Sequence, residues 1–230
     1  MNQDRIKTRL APAGREAELN GMEALVRGLL ESGVTYATGY SGGPASVEKA
    51  LLPVLESAGP AFGLRFEWSV NEAVLAAKVL GRATLTHSRG FGFMKNIGLN
   101  VALDALSTMS IKSTFNSGTL FLVAADPQPH RSQTAQDNRY LLSSLHVPLL
   151  EPGSPQEALQ MTREALDLSE RYRFPFFMHM NPLVLESEGP VRLGDLPLPP
   201  FWELRQVFHR LAGSVASYGY PVITEAGQPP

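Results

Sequence analysis

The chain has 230 residues, 43% of them hydrophobic and 18% charged, with a formal net charge of -2; it can bury a full core as one large domain and offers no electrostatic case for nucleic acid. The absence of cysteine excludes disulfides, thiolate catalysis and any iron–sulfur cluster or thiolate-bound zinc held by these residues. No apolar run approaches the roughly 20 residues of a membrane-spanning helix, and residues 1–20 are polar and mildly basic without the apolar middle of a signal peptide, so the expected location is the cytoplasm.

Residues 1–19 read as an N-terminal arm. From Asn20 onward, helical and strand-like segments alternate as in an α/β fold with a doubly wound, mostly parallel sheet of about six strands. Asn20 can cap a helix with Glu23 at its third position, and Met22, Leu25, Val26, Leu29 and Leu30 form one apolar stripe before Gly33 ends it. Residues 34–38 read as the first strand, the glycine-rich stretch 39–44 as a loop, 45–57 as a helix and 64–68 as a second strand. Ser69 and Glu72 have capping-box spacing for a third helix ending near Leu80, and 83–86 reads as strand three. The stretch 87–93 reads as a loop before a helix over 94–106, and 119–124 as a strand. After a polar run, 147–150 is expected to be a short strand, Ser154-Pro155-Gln156-Glu157 a capped helix start with proline at its first position, and 174–180 the strand that closes the sheet. From 189 to 230 a proline-rich extension is expected, with one short helix over 201–211 and a disordered end; its Phe201, Trp202, Val207 and Phe208 are suited to docking on a partner or on the chain's own domain.

In an open parallel sheet, ligands lie beyond the carboxyl ends of the strands, so the loops beginning at Gly39, His87 and Asp126 should converge. The polar run 125–140 is long for a turn and reads as a site-bearing segment. Glycines at 39, 42 and 43 could present amides to an anion or simply make a tight turn; neither a dinucleotide fingerprint nor a P-loop is present. Glu72 has two readings, a capping-box residue after Ser69 or a carboxyl group poised to exchange a proton with a heteroaromatic ligand. His130 lies between Asp126 and Asp137 without a second histidine at ligand spacing, so no metal is expected. Arg139 has a fork suited to a carboxylate or to a structural ion pair, and Lys95, placed against the usual helix-start preference, suits an anionic ligand.

Four ordered motifs carry a family likeness. They are Tyr40-Ser41-Gly42-Gly43-Pro44-Ala45-Ser46, Glu67-Trp68-Ser69-Val70-Asn71-Glu72, the run from Met94 and Lys95 to Ala102, and Ser132-Gln133-Thr134-Ala135-Gln136-Asp137-Asn138-Arg139-Tyr140. Over residues 20–188 the chain resembles the N-terminal, pyrimidine-binding domain of the indolepyruvate:ferredoxin oxidoreductase alpha subunit, within the 2-oxoacid:ferredoxin oxidoreductase superfamily. The resemblance implies the thiamine diphosphate-binding pyrimidine-domain fold and a part in oxidative decarboxylation of 2-oxo acids. It implies that Glu72 hydrogen-bonds N1′ of the aminopyrimidine and promotes loss of the C2 proton, with Tyr40, Gly42 and Asn100 also against the cofactor. Arg139 would bind the substrate carboxylate, and Lys95, Asn96, His130 and Asn138 would line the same pocket.

The sequence departs from the family in places. Ser41 and Gly43 stand where the family's first loop has proline and threonine, and Asn96 stands where histidine usually follows Met-Lys, which removes a group able to titrate near neutral pH. The family's subunit also continues into a diphosphate- and magnesium-binding domain and a cluster-bearing ferredoxin module that these residues do not contain. The resemblance therefore implies a hetero-oligomer in which a partner subunit supplies the magnesium and diphosphate site, and iron–sulfur clusters sit on partner chains or a ferredoxin. A non-redox thiamine diphosphate decarboxylase or carboligase is the alternative enzyme, and a non-catalytic structural subunit the alternative of another class.

Overall fold

The computed structural model of the chain describes residues 3–41, 45–86, 88–108, 117–126 and 135–197. The elements in chain order are α1 (Gln3–Arg9), β1 (Glu16–Asn20), α2 (Gly21–Glu31), β2 (Tyr36–Tyr40), α3 (Ala45–Ala58), β3 (Arg65–Ser69), α4 (Glu72–Leu85) and β4 (Gly90–Lys95). They continue with α5 (Gly98–Ser107), β5 (Thr119–Ala124), α6 (Arg139–Ser144), β6 (Leu149–Leu150), α7 (Pro155–Tyr172), β7 (Phe176–Met180), α8 (Pro182–Glu186) and β8 (Glu188–Arg192). Six strands form one sheet in the order β3-β2-β4-β5-β7-β6, every neighbouring pair parallel. This is the doubly wound α/β sheet that the alternation of segments implies.

Side-chain alternation along the strands divides the core into two layers. Phe91, Phe93, Leu120, Leu122, Phe176 and Met178 pack with α2, α3 and α7 on one face. Tyr36, Met94, Phe121, Val123 and Phe177 pack with α4, α5 and α6 on the other. The chain leaves β2 toward the first face and β4 toward the second, so these adjacent strands form a topological switch point whose crevice opens at their carboxyl ends.

The start of α2 forms as the sequence implies. Asn20 accepts from the Glu23 amide at 2.9 Å and Glu23 accepts from the Asn20 amide at 3.1 Å, a complete capping box. At α7, Ser154 caps the Glu157 amide and Pro155 takes the first turn, but Glu157 reaches the Gly153 amide at 2.7 Å instead of returning to the cap.

Three expectations need correction. The cap of α4 is Asn71, which accepts from the Val74 amide at 2.9 Å; Ser69 ends β3 and shares a hydrogen bond with Thr38 at 2.8 Å, so the Ser69–Glu72 capping box does not form. The expected strand 83–86 belongs mostly to α4, because Val79, Leu80 and Ala83 continue its buried stripe and outweigh the β-branched threonines. The stretch 87–93 read as a loop is, from Gly90 onward, the strand β4, between β2 and β5, and Lys95 ends that strand instead of starting a helix. The glycine there serves close approach: a Cβ on Gly92 would come within 2.9 Å of both Leu75 and Phe121.

The chain ends of the described region meet. Strands β1 and β8 pair antiparallel, Glu16 opposite Arg192 and Asn20 opposite Glu188, so this ribbon runs across both boundaries expected near 19 and 188. Leu19 and Val191 are buried, whereas Gly189 and Pro190 give β8 the look of a turn. Arg27, fully buried, locks the ribbon to the domain: it donates to the carbonyls of Arg9, Ala11 and Gly194 and pairs with Glu31 at 2.7 Å. The helix expected over 201–211 lies outside the described residues.

Candidate active site

Glu72 is the first residue of α4, and its side chain is 7% exposed at the carboxyl edge of the sheet. Its carboxylate packs on the start of α5: a Cβ on Gly98 would lie 2.4 Å from Oε1 and 2.8 Å from Cδ. Among the described residues no hydrogen-bond donor meets the Glu72 carboxylate. A buried carboxyl in that condition is held by packing and is free to bond a ligand.

The turn from β4 into α5 gathers three of the other expected site residues. Asn96 is fully buried; its amide donates to the Ala124 carbonyl at 3.0 Å, and its own carbonyl accepts from Asn138 Nδ2 at 2.8 Å. Asn138 is also fully buried, and among the described residues its Oδ1 has no partner. One turn into α5, Asn100 exchanges two amide hydrogen bonds with Gln136, at 2.8 and 2.9 Å. A bridge between Asp126 and Gln136 then pins the two ends of the polar segment together. Glu72, Asn96, Gly98, Asn100 and Asn138 thus form one continuous patch.

Tyr40 and Lys95 end β2 and β4, on either side of the switch point. Alternation assigns Lys95 to the face of Phe93, the opposite face from α4 and Glu72. Gly42 and His130 lie outside the described residues.

Arg139 opens α6 beside Asn138, and its fork is already engaged. Nε and Nη2 meet the two oxygens of Asp137 at 2.9 and 2.8 Å, and Nη1 stands 3.9 Å from Glu151. The guanidinium, together with the Arg139 amide, holds the Asp137 carboxyl down at about 2.

The reading of the sequence missed His179. It is 6% exposed on β7, its Nδ1 lies 2.6 Å from Glu151 Oε1, and its buried Nε2 has no partner among the described residues. A signal was available: one imidazole in the apolar run Phe176-Phe177-Met178-His179-Met180, one residue short of the strand's carboxyl end. Among the described residues no group of three or more His, Asp or Glu is placed to hold a metal, and no helix is long and apolar enough to cross a membrane.

The parallel sheet and its layers match the fold of a solved 2-oxoacid:ferredoxin oxidoreductase. A 2-oxoglutarate:ferredoxin oxidoreductase from Magnetococcus marinus, solved with 2-oxoglutarate, coenzyme A and succinyl-CoA bound, superposes with a TM-score of 0.66 at 19% identity, over 81% of this chain and 32% of that one. Over about 80% of its length the chain is similar to part of the IorA subunits of indolepyruvate oxidoreductases. It is 40% identical over 191 residues to the IorA subunit of Methanothermobacter marburgensis, covering 83% of this chain and 30% of that protein. Against IorA of Pyrococcus horikoshii the identity is 35% over 185 residues, with 80% and 28% covered, and against that of Archaeoglobus fulgidus 32% over 195 residues, with 83% and 31% covered. The chain therefore spans about 30% of the length of the curated relatives it matches. No family model matches it.

Proposed function

We propose that this chain is the pyrimidine-binding part of a thiamine diphosphate-dependent 2-oxoacid oxidoreductase of the indolepyruvate or arylpyruvate:ferredoxin type, acting in oxidative decarboxylation with a site completed by a partner subunit. The observation that carries the reading is Glu72, a buried carboxyl at the carboxyl edge of the sheet with no donor among the described residues, in a cradle that a side chain at position 98 would fill. That environment fits a nitrogen heterocycle.

Thiamine diphosphate, when bound, supplies the nucleophilic carbon and the electron sink for decarboxylating a 2-oxo acid. Glu72 would hold a proton in a hydrogen bond to N1′ of the aminopyrimidine, with Tyr40, Gly42 and Asn100 against the same ring system. Lys95, Asn96, His130, Asn138 and Arg139 would line the substrate side, Arg139 meeting the 2-oxo acid carboxylate through Nη1, the nitrogen that Asp137 does not occupy. Magnesium and the diphosphate site would lie on a partner chain, and so would the iron–sulfur clusters, for which these residues offer no cysteine ligand.

The test is Glu72→Gln in the complex purified with its partners. The variant should assemble with unchanged subunit composition and lose turnover by roughly 100-fold or more. Full turnover would overturn the assignment. Iron–sulfur absorbance in the same complex separates the oxidoreductase from a non-redox decarboxylase or carboligase.

A further inference from the structure

We infer that His179 is a positioning residue that keeps the Glu151 carboxylate off Arg139, so that the free edge of the guanidinium stays open to the carboxylate of a 2-oxo acid. The inference rests on the reading of Arg139 given above and extends it to two residues with no role there.

The geometry is a chain of contacts. Asp137 occupies Nε and Nη2 of Arg139, which leaves Nη1 as the nitrogen available to a new partner. Among the described residues the other carboxylate facing it is that of Glu151, whose Oε2 stands at 3.9 Å, beyond the 2.7–3.2 Å of a hydrogen bond. The other oxygen of Glu151 is the one held by His179 Nδ1 at 2.6 Å. Strand register explains the pairing: Leu150 lies beside Met178, and the next residue on each parallel strand is Glu151 and His179.

The two sides of this pair differ in freedom. Glu151 is 43% exposed and able to move, whereas His179 is 7% exposed and fixed in the sheet. Among the described residues the Glu151 contact is the polar anchor of the imidazole, since Nε2 has no partner. Without the imidazole, the natural partner for a mobile carboxylate 3.9 Å from a guanidinium is that guanidinium, in a charge-assisted hydrogen bond. Arg139 would then be closed by two carboxylates of its own chain, and an incoming 2-oxo acid would have to displace one of them.

The test uses the complex assembled with its partners and three variants. His179→Phe should raise the KM for the 2-oxo acid about tenfold with kcat within about twofold, because a ground-state contact is blocked. Adding Glu151→Gln to His179→Phe should return KM to within about twofold of the wild type, a rescue that general damage to the core would not permit. Glu151→Gln alone, at an exposed position, should leave KM equal or lower, and it decides the matter if His179→Phe does not fold. Calorimetric binding of the 2-oxo acid should follow the same order without turnover. An unchanged KM in His179→Phe, a failure of the double variant to recover, or a raised KM in Glu151→Gln would each overturn the inference. Those results in a wild-type complex that turns over 2-oxo acids leave the proposed function standing, whereas a wild-type complex without thiamine diphosphate or turnover removes the parent reading.

Discussion

Gly98 touches the carboxylate of Glu72 so closely that a Cβ at position 98 would sit 2.4 Å from Oε1. The first residue of α4 and the first residue of α5 are therefore fitted to each other, and any side chain at 98 must move the carboxyl group. Gly98→Ala should keep the fold, since alanine is the better helix former by about 1 kcal/mol. It should reduce kcat by roughly tenfold or more, because a misplaced proton-transfer group loses much of its effect. Steady-state kinetics beside a melting curve check this; unchanged kcat in a folded Gly98→Ala complex would show that the carboxylate position does not matter.

Arg27 makes a separate, structural prediction. It is fully buried, pairs with Glu31, and ties the carbonyls of Arg9, Ala11 and Gly194 to α2. Arg27→Met keeps the volume but strands those carbonyl acceptors and takes the buried partner from the Glu31 carboxylate, which keeps the Gly194 amide and Arg163. A loss of roughly 3–5 kcal/mol in urea unfolding is expected, the range for breaking one side of a buried ion pair. Hydrogen exchange should also quicken in the β1–β8 ribbon, and a loss below about 1 kcal/mol would contradict the hub described for Arg27.

The Asp137–Arg139 pair sets a pH window. Bonded to Arg139, the Asp137 carboxyl is held at about 2 against an ordinary 3.8, so the folded state favours its charged form. The pair's contribution is present above the unfolded value of 3.8 and is lost as pH falls through about 2. Since the pair is largely exposed, the contribution is small and fades with salt. Acid unfolding of Asp137→Asn should lack this component, and an Asp137 carboxylate seen by NMR to titrate in the ordinary range would contradict the pairing.

How far the sequence spoke depended on where local signals and tertiary packing agreed. The capping box at Asn20 and the proline start after Ser154 were legible because both are set by residues within a few positions of each other. The strand β4 was not: Gly90 and Gly92 read as a loop, and only the approach of Leu75 and Phe121 from other elements explains glycine there. Motif likeness pointed to Glu72, yet its nearest contact, Gly98, comes from a different helix and has no spacing rule. His179 stayed hidden because its partner Glu151 is 28 residues away and meets it through parallel-strand register. The same cause hid the second carboxylate near Arg139: Asp137 lies two residues away in sequence, whereas Glu151 approaches from the end of β6.

Native mass spectrometry of this chain purified with its natural partners shows whether Glu72 serves a thiamine diphosphate site shared with a partner. A hetero-oligomer whose mass includes thiamine diphosphate and magnesium is expected. A complex, or a lone chain, that carries no thiamine diphosphate even when the cofactor is supplied in excess would contradict that role.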